Sequence, residues 1–484
     1  KKKNKMKSLF RNTVAQTKKT CQKLVVKNNN NVKTYVITPM TVEQPGTPKI
    51  QSQHEIPTFS KTPQVTTLNN GIRVISKDST RGNSIVSIKV NAGTRDVSGD
   101  NQGAPHYASK MFFAPTTHRT GLHLISEMNK TGGRFEAQHG REEMVYQVEV
   151  ARDGVARAME LAVDSVLYSR LHPYDIVPKQ AQVAYDVAES KLSPQYQIKE
   201  ALHKVAFTDQ GLGQPLLAYD NHVDKPSLDS INEFMNTHYI PSNIEVIGTN
   251  INHEDLVEIS KQLLEDEFAF QGLPEAPQPR STPNIVGGHD SVYETRFSTP
   301  GNSKNFMVTG FTAPGRNSTE RFATKIIVEL LGTGSIDNVD NVTRENSNTE
   351  LSRLARDAKI NHYQAYHFEY SDCGLFGIYT ESESINPIPQ NTVGTWFRDR
   401  FVEASEEQQK KMVEAAINRV ITRESVKYDS NIGEHEFLLQ HGDTMIFDQF
   451  VNHLRAVTPQ DVNQQLQQLF GTHAPATVIY GNLN

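Results

Sequence analysis

The stretch Gln102–Phe113 sets His106, Ser109 and Lys110 at helical spacing. Two imidazoles at i and i+4 with a Glu beside the second, H-x-x-E-H, share one helix face. There they hold a zinc ion, and the Glu takes a proton from its bound water. His106 stands at the first ligand position, Ser109 at the Glu position and Lys110 at the second ligand position. A lysine ammonium 4 Å from a metal repels each unit of its charge by about 4 kcal/mol at an effective dielectric of about 20, doubled for a divalent ion. A serine hydroxyl is no general base near neutral pH. His106 therefore reads as a satisfied polar residue of the core.

No other constellation replaces this one. His435-Glu436 and His441 are six apart, which sends the two rings to different helix faces. His118 and His123 are five apart, as are His362 and His367, the latter on an alternating strand pattern. These read as scattered surface histidines. Gly211-Leu212-Gly213 and Gly332-Thr333-Gly334 lack the further glycines and the Lys of a phosphate-binding loop and read as loop or helix-end glycines. No catalytic residue and no bound cofactor is expected. Two cysteines, Cys21 and Cys373, make neither a disulfide framework nor a thiolate, haem or iron–sulfur ligand set.

The elements that must position His106 come twice. Residues 272–289 form a Pro- and Gly-rich linker between two halves. The first half has Gly71–Ile75 and then Ser84–Val90, where Val86, Ile88 and Val90 alternate with Ser87 and Lys89 as in a half-buried strand. The helix of His106 follows, then a hairpin turning at His139-Gly140, then a helix that Asp153 can cap, then a helix opening at Ser227 and a final strand Ile244–Gly248. The second half repeats this. It has strand Asn305–Phe311, helix Glu320–Leu331 and a hairpin turning at Ser371–Gly374. A helix with a Ser405/Gln408 capping box, a helix opening at Thr458-Pro459 and a strand Thr477–Gly481 complete it. The order predicts an α+β fold of two homologous domains, each a mostly antiparallel sheet with helices packed on one face. The division is 1–61 leader, 62–271 N-terminal domain, 272–289 linker and 290–484 C-terminal domain.

With 484 residues, 36% hydrophobic, 22% charged and a net charge of −5, the chain has ample core and no bias toward nucleic acid. It holds no apolar run of membrane-spanning length, so any membrane association is expected to be peripheral or through partners. From Lys1 to Met40 there is no Asp or Glu while Lys and Arg recur, the composition of a mitochondrial transit peptide.

Several segments carry a resemblance. They are Leu68–Val74, Ala92-Gly93-Thr94-Arg95, His106 on the next helix, Gly132-Gly133-Arg134 with Arg141-Glu142, and Tyr370–Thr380. With these the chain, from about residue 65 to its last residue, resembles the two-domain zinc peptidases of the mitochondrial processing peptidase type and their relatives, the core proteins of the cytochrome bc1 complex. Tyr370–Thr380 looks most like the second of those core proteins. The resemblance implies a third-ligand helix over Gln180–Glu189, with Asp186 or Glu189 at the old ligand position, so that His106, Ser109, Lys110 and Asp186 mark a degenerate zinc site. It further implies a non-catalytic core subunit with a structural and assembly role, on the matrix side of the mitochondrial inner membrane. Its partners would be the first core protein or a beta-type processing peptidase subunit, with cytochrome b, cytochrome c1 and the iron–sulfur subunit in the same complex. The alternative is the alpha, presequence-binding subunit of the processing peptidase, which carries a glycine-rich loop. The matching stretch Leu331–Asn341 has only two glycines, which leans toward a core protein.

Overall fold

The computed structural model describes residues 62–79, 82–97, 101–208, 211–219, 223, 228–265, 270, 274, 276–277, 280, 289–293, 298–299, 302–303, 305–335, 360–382, 392–471 and 475–481. The expected leader, the helix start at Ser227 and most of the linker lie outside them.

The N-terminal half runs β1 (Gln64–Thr67), β2 (Arg73–Lys77), β3 (Ser84–Val90), α1 (Ala104–Met111), α2 (Gly121–Lys130), β4 (Arg134–His139), β5 (Met144–Val150), α3 (Val155–Leu167), α4 (Pro173–Ser190), α5 (Pro194–Phe207), α6 (Leu228–His238), β6 (Ile244–Thr249) and α7 (His253–Leu264). The C-terminal half runs β7 (His289–Tyr293), β8 (Ser298–Thr299), β9 (Asn302–Ser303), β10 (Asn305–Pro314), α8 (Arg321–Leu331), β11 (Thr333–Ser335), β12 (Ile360–Glu369) and β13 (Cys373–Ser382). It continues with α9 (Thr392–Glu403), α10 (Glu406–Tyr428), α11 (Asn431–His441), α12 (Phe447–Ala456), α13 (Pro459–Gly471) and β14 (Ala476–Gly481).

The two sheets are ordered β1-β2-β6-β3-β5-β4 and β11-β12-β13-β10-β14-β7. Reading the first from β4 toward β2 and the second from β12 toward β7 gives the same succession. In each, the last pair is parallel (β2/β6 and β14/β7) and every other pair is antiparallel. This is the duplicated α+β architecture that the repeated element order predicts.

Each half packs its own helices on one face of its sheet. Val86, Ile88 and Val90 of β3 meet Tyr107 and Met111 of α1, Met159 and Val163 of α3, and Leu256 of α7. Phe311, Phe376 and Ile378 meet Ile326 and Ile327 of α8, Val413 and Val420 of α10, and Leu466 of α13. The expected Ser405/Gln408 capping box opens α10. Asp153 does not cap α3 as predicted. A 3-10 turn over Arg152–Gly154 intervenes, Gly154 takes the cap position, and Asp153 stays exposed.

The opposite face of each sheet is covered by a helix from the other half. Helix α5 lays Ile198, Leu202 and Ala206 on Phe306, Val308, Leu375 and Val478 of the C-terminal sheet. Gly310 of β10 lies directly beneath it: a Cβ there would sit 2.9 Å from Leu202 Cδ1. In return, α11 lays Leu438 and Leu439 on Ile75, Val145 and Ile247 of the N-terminal sheet. Each such fully covered side chain contributes about 1.5–3 kcal/mol.

This exchange overturns the half-buried reading of β3. All seven of its residues are buried. Ser87 Oγ meets His435 Nε2 at 2.7 Å, and Lys89 donates to the carbonyl of Leu439 at 3.0 Å and pairs with Glu143 at 3.1 Å. His435 is fully buried and His441 nearly so, which corrects their reading as surface histidines. The same correction applies to His367, whose side chain is 3% exposed and whose Nε2 donates to the carbonyl of Pro314 at 3.0 Å.

Candidate functional site

Helix α1 begins at Gly103, whose φ of 88° suits glycine, with Pro105 in its first turn. It buries His106, Ala108, Ser109 and Met111, and the one-turn spacing brings His106 and Lys110 to the same side. Helix α4 packs against it. Of the two candidate carboxylates on α4, Asp186 faces α1 and Glu189 points to solvent.

Two groups meet at Asp186. Its Oδ2 lies 2.5 Å from Lys110 Nζ and 2.9 Å from His106 Nε2. On the other side of the His106 ring, Nδ1 accepts the backbone N–H of Ala218 at 3.3 Å. Those partners fix the tautomer: the proton sits on Nε2 and is donated to Asp186. Burial, the largest effect, together with the Lys110 cation keeps His106 below its usual pKa, against the pull of Asp186. Partial burial would raise Asp186, but the bonds from Lys110 and His106 outweigh it and hold the carboxyl below its usual range.

Two further groups complete the cluster. Ser109 Oγ donates to the carbonyl of His106 at 2.7 Å and lies 3.2 Å from Nδ1 of His139, the last residue of β4. The His139 ring stacks on that of His106, with centroids 4.7 Å apart and planes 21° apart. Burial, then the neighbouring His106 and Lys110, push His139 down to about 3. Sequence reasoning assigns His139 no role beyond its turn. Its position at the end of the strand flanking α1 was the one signal present.

This donor set does not fit a zinc ion. The one imidazole of α1 turns its N–H toward the carboxylate and its lone pair toward a backbone amide, and an ammonium lies where a second ligand would. Among the described residues, no group of three or more His, Cys, Asp or Glu side chains could hold a metal. Lys110 instead pairs with Asp186 and anchors it.

Beside this cluster the halves are pinned together. Arg95, whose side chain is 3% exposed, reaches Glu142 at 2.5 Å and Asp372 at 2.6 Å. Glu142 accepts from the backbone N–H of Ser371 at 2.8 Å and from its hydroxyl at 2.7 Å. Gly93 makes this possible, because a Cβ there would lie 2.5 Å from the backbone of Gly140 and Arg141. Arg280, within the expected linker, reaches Asp96 at 2.7 Å and the carbonyl of Glu142 at 2.9 Å. The segments that carried the resemblance, Gly93–Arg95, Arg141-Glu142 and Tyr370–Asp372, thus form the seam between the halves.

Residues 73–220 match the family model described as insulinase (peptidase family M16), and residues 226–392 match the one described as the peptidase M16 inactive domain. The chain belongs to the M16 peptidase family. Among M16 relatives, it is 26% identical over 324 residues to a probable mitochondrial-processing peptidase subunit alpha-1 of Arabidopsis thaliana, covering 65% of this chain and 61% of that protein. It is 23% identical over 431 residues to the mitochondrial-processing peptidase subunit alpha of Solanum tuberosum, covering 87% and 82%. It is 22% identical over 425 residues to an uncharacterized zinc protease of Rickettsia bellii, covering 86% and 97%. Among the described residues, no helix is long and apolar enough to cross a membrane. Both glycines of the stretch compared with the glycine-rich loop are accounted for: Gly332 caps α8 with a φ of 83°, and Gly334 belongs to β11, paired with β12. Residues 336–341 of that stretch lie outside the described ones.

Proposed function

We propose that this chain is a non-catalytic M16 subunit of mitochondria that works by assembling with a homologous partner. The observation that carries this is Lys110 Nζ at 2.5 Å from Asp186, in the slot where a peptidase would bind its metal. Within that role, we assign it to the core subunits of the cytochrome bc1 complex, on the matrix side of the inner membrane, nearest the second core protein. The support is the segment Tyr370–Thr380, together with β11 beginning where a glycine-rich loop would be. Its partner would be the first core protein or a beta-type processing subunit, alongside cytochrome b, cytochrome c1 and the iron–sulfur subunit.

A second reading, the alpha subunit of the processing peptidase, is favoured by the names of the Arabidopsis and Solanum relatives. Affinity purification of the tagged chain from its own mitochondria separates the two. Recovery with b- and c-type haem absorbance and a homologous subunit supports the core assignment. Recovery as a haem-free heterodimer that cleaves presequences replaces it with the alpha assignment. A purified chain that itself holds one zinc, lost on His106→Ala, and cleaves peptides alone refutes both.

A further inference from the structure

Helix α4 turns Asp186 inward and an apolar stripe outward. Tyr174, Pro178, Ala181, Tyr185, Ala188 and Leu192 are all exposed, and they follow one another at alternating steps of four and three. That is the 3.5-residue repeat of a helix seam, and no charged side chain interrupts it. Leu192 extends the stripe past the last turn, its N–H bonded to the carbonyl of Glu189 at 2.9 Å. The large members are far out in solvent: Tyr174 is 81% exposed, Tyr185 67%, Leu192 74%, and Val177 beside them 63%. Together these four leave on the order of 600 Å² in water, at the upper end for the largest apolar patch of a monomer and most of the roughly 800 Å² that each partner contributes to a standard interface.

We infer that α4 is a homodimer interface, in which two copies of this chain pair their α4 helices antiparallel about a two-fold axis that crosses the stripe midway between Ala181 and Tyr185. The stripe is complementary to itself in that arrangement and register. The axis sets Tyr185 against Ala181, Pro178 against Ala188 and Tyr174 against Leu192, so that at the centre a large side chain meets a small one. No acid faces an acid: Asp186 falls opposite Gln180 and Glu189 opposite Val177. The stripe is one residue wide, which suits another helix. A lipid surface takes a broader apolar face flanked by Lys and Arg, whereas the exposed flank here carries Gln182 and Glu189. The pairing is independent of the degenerate site and of whichever homologous subunit joins each copy.

The test is sedimentation of the purified full-length chain at micromolar concentration. The expected result is a two-chain species. Tyr185→Glu should weaken association by about a hundredfold or more, because it buries a carboxylate at the centre of the seam. Leu122→Glu, on exposed ground of α2, should leave association unchanged. The register has its own readout in a Cys21→Ser, Cys373→Ser background. Mixed Ala181→Cys and Tyr185→Cys chains should form a disulfide-linked dimer on mild oxidation, whereas Tyr174→Cys chains should not link to one another. A chain that stays monomeric, or a dimer indifferent to Tyr185→Glu, overturns the proposal. So does an α4 surface protected only when a different subunit is added, or vesicle binding that Tyr185→Glu abolishes; these would give the stripe to a partner helix or to lipid.

Discussion

The buried histidine of the exchanged helix α11 makes stability depend on pH in a calculable way. His435 is fully buried between Ser87 Oγ at 2.7 Å and Thr249 Oγ1 at 3.2 Å, and burial drops its pKa from 6.5 to about 3. With a folded value below the unfolded one, the unfolded chain binds one more proton between pH 6.5 and about 3. Stability is therefore intact above 6.5 and falls as the pH descends through that window, by about 1.4 kcal/mol per unit for one proton. His441 on the same helix and His139 beside the degenerate site are both held to about 3 and act with the same sign. The perturbation is His435→Gln, which keeps a donor and an acceptor but does not titrate. Urea unfolding followed by circular dichroism from neutral pH down to two units below 6.5 gives the slope. The stability gap between the parent and His435→Gln should close by about 3 kcal/mol over those two units. Parallel pH profiles for the two proteins would refute the placement of a neutral His435 between the halves.

Three further outcomes follow from the geometry. Lys110→Met and Asp186→Asn, analysed as a double-mutant cycle by chemical denaturation, should show a coupling of about 1–2 kcal/mol; a value inside the usual scatter of about 0.3 kcal/mol would mean that the pair does not anchor α4 to α1. Gly310→Ala should cost about 1–3 kcal/mol by driving a methyl into Leu202 of α5, and Leu202→Ala in the same chain should recover part of that loss rather than add its full cost. Ser109→Glu with Lys110→His should raise zinc affinity, measured by equilibrium dialysis, more than it raises peptide cleavage, since the stacked His139 and the reach of Asp186 stay as they are; efficient cleavage by the double variant would show the site to be otherwise whole.

What the sequence makes legible is local. The alternation of Val86, Ile88 and Val90, the hairpin glycines and the Ser405/Gln408 box each depend on neighbours a few residues away, and each becomes the element it predicts. The helical spacing of His106 and Lys110 likewise places both on one side of α1. What the sequence hides is long-range. Ser87 and Lys89 carry a solvent-facing pattern because their partners, His435 and Leu439, lie about 350 residues later in the chain. Asp186 and Glu189 are equally good carboxylates in sequence, and only the packing of α4 on α1 chooses between them. His139 is invisible as a site residue until the strand that ends with it stacks its ring on His106.

The crossing of α5 and α11 also sets a timetable for making this protein. Synthesis delivers the N-terminal sheet first, yet the side chains that cover Ile75, Val145 and Ile247 belong to residues 438 and 439. For the whole interval in which the second half is being delivered, Ile75, Val145 and Ile247 stand uncovered beside Ser87 and Lys89, and uncovered apolar side chains are where chains aggregate or chaperones bind. Helix α5 waits the opposite way, an apolar helix without its sheet until β10, β13 and β14 have formed. The chain is thus committed to completing both halves before either is finished, and truncation between α7 and α11 removes the helix that covers the back of the N-terminal sheet.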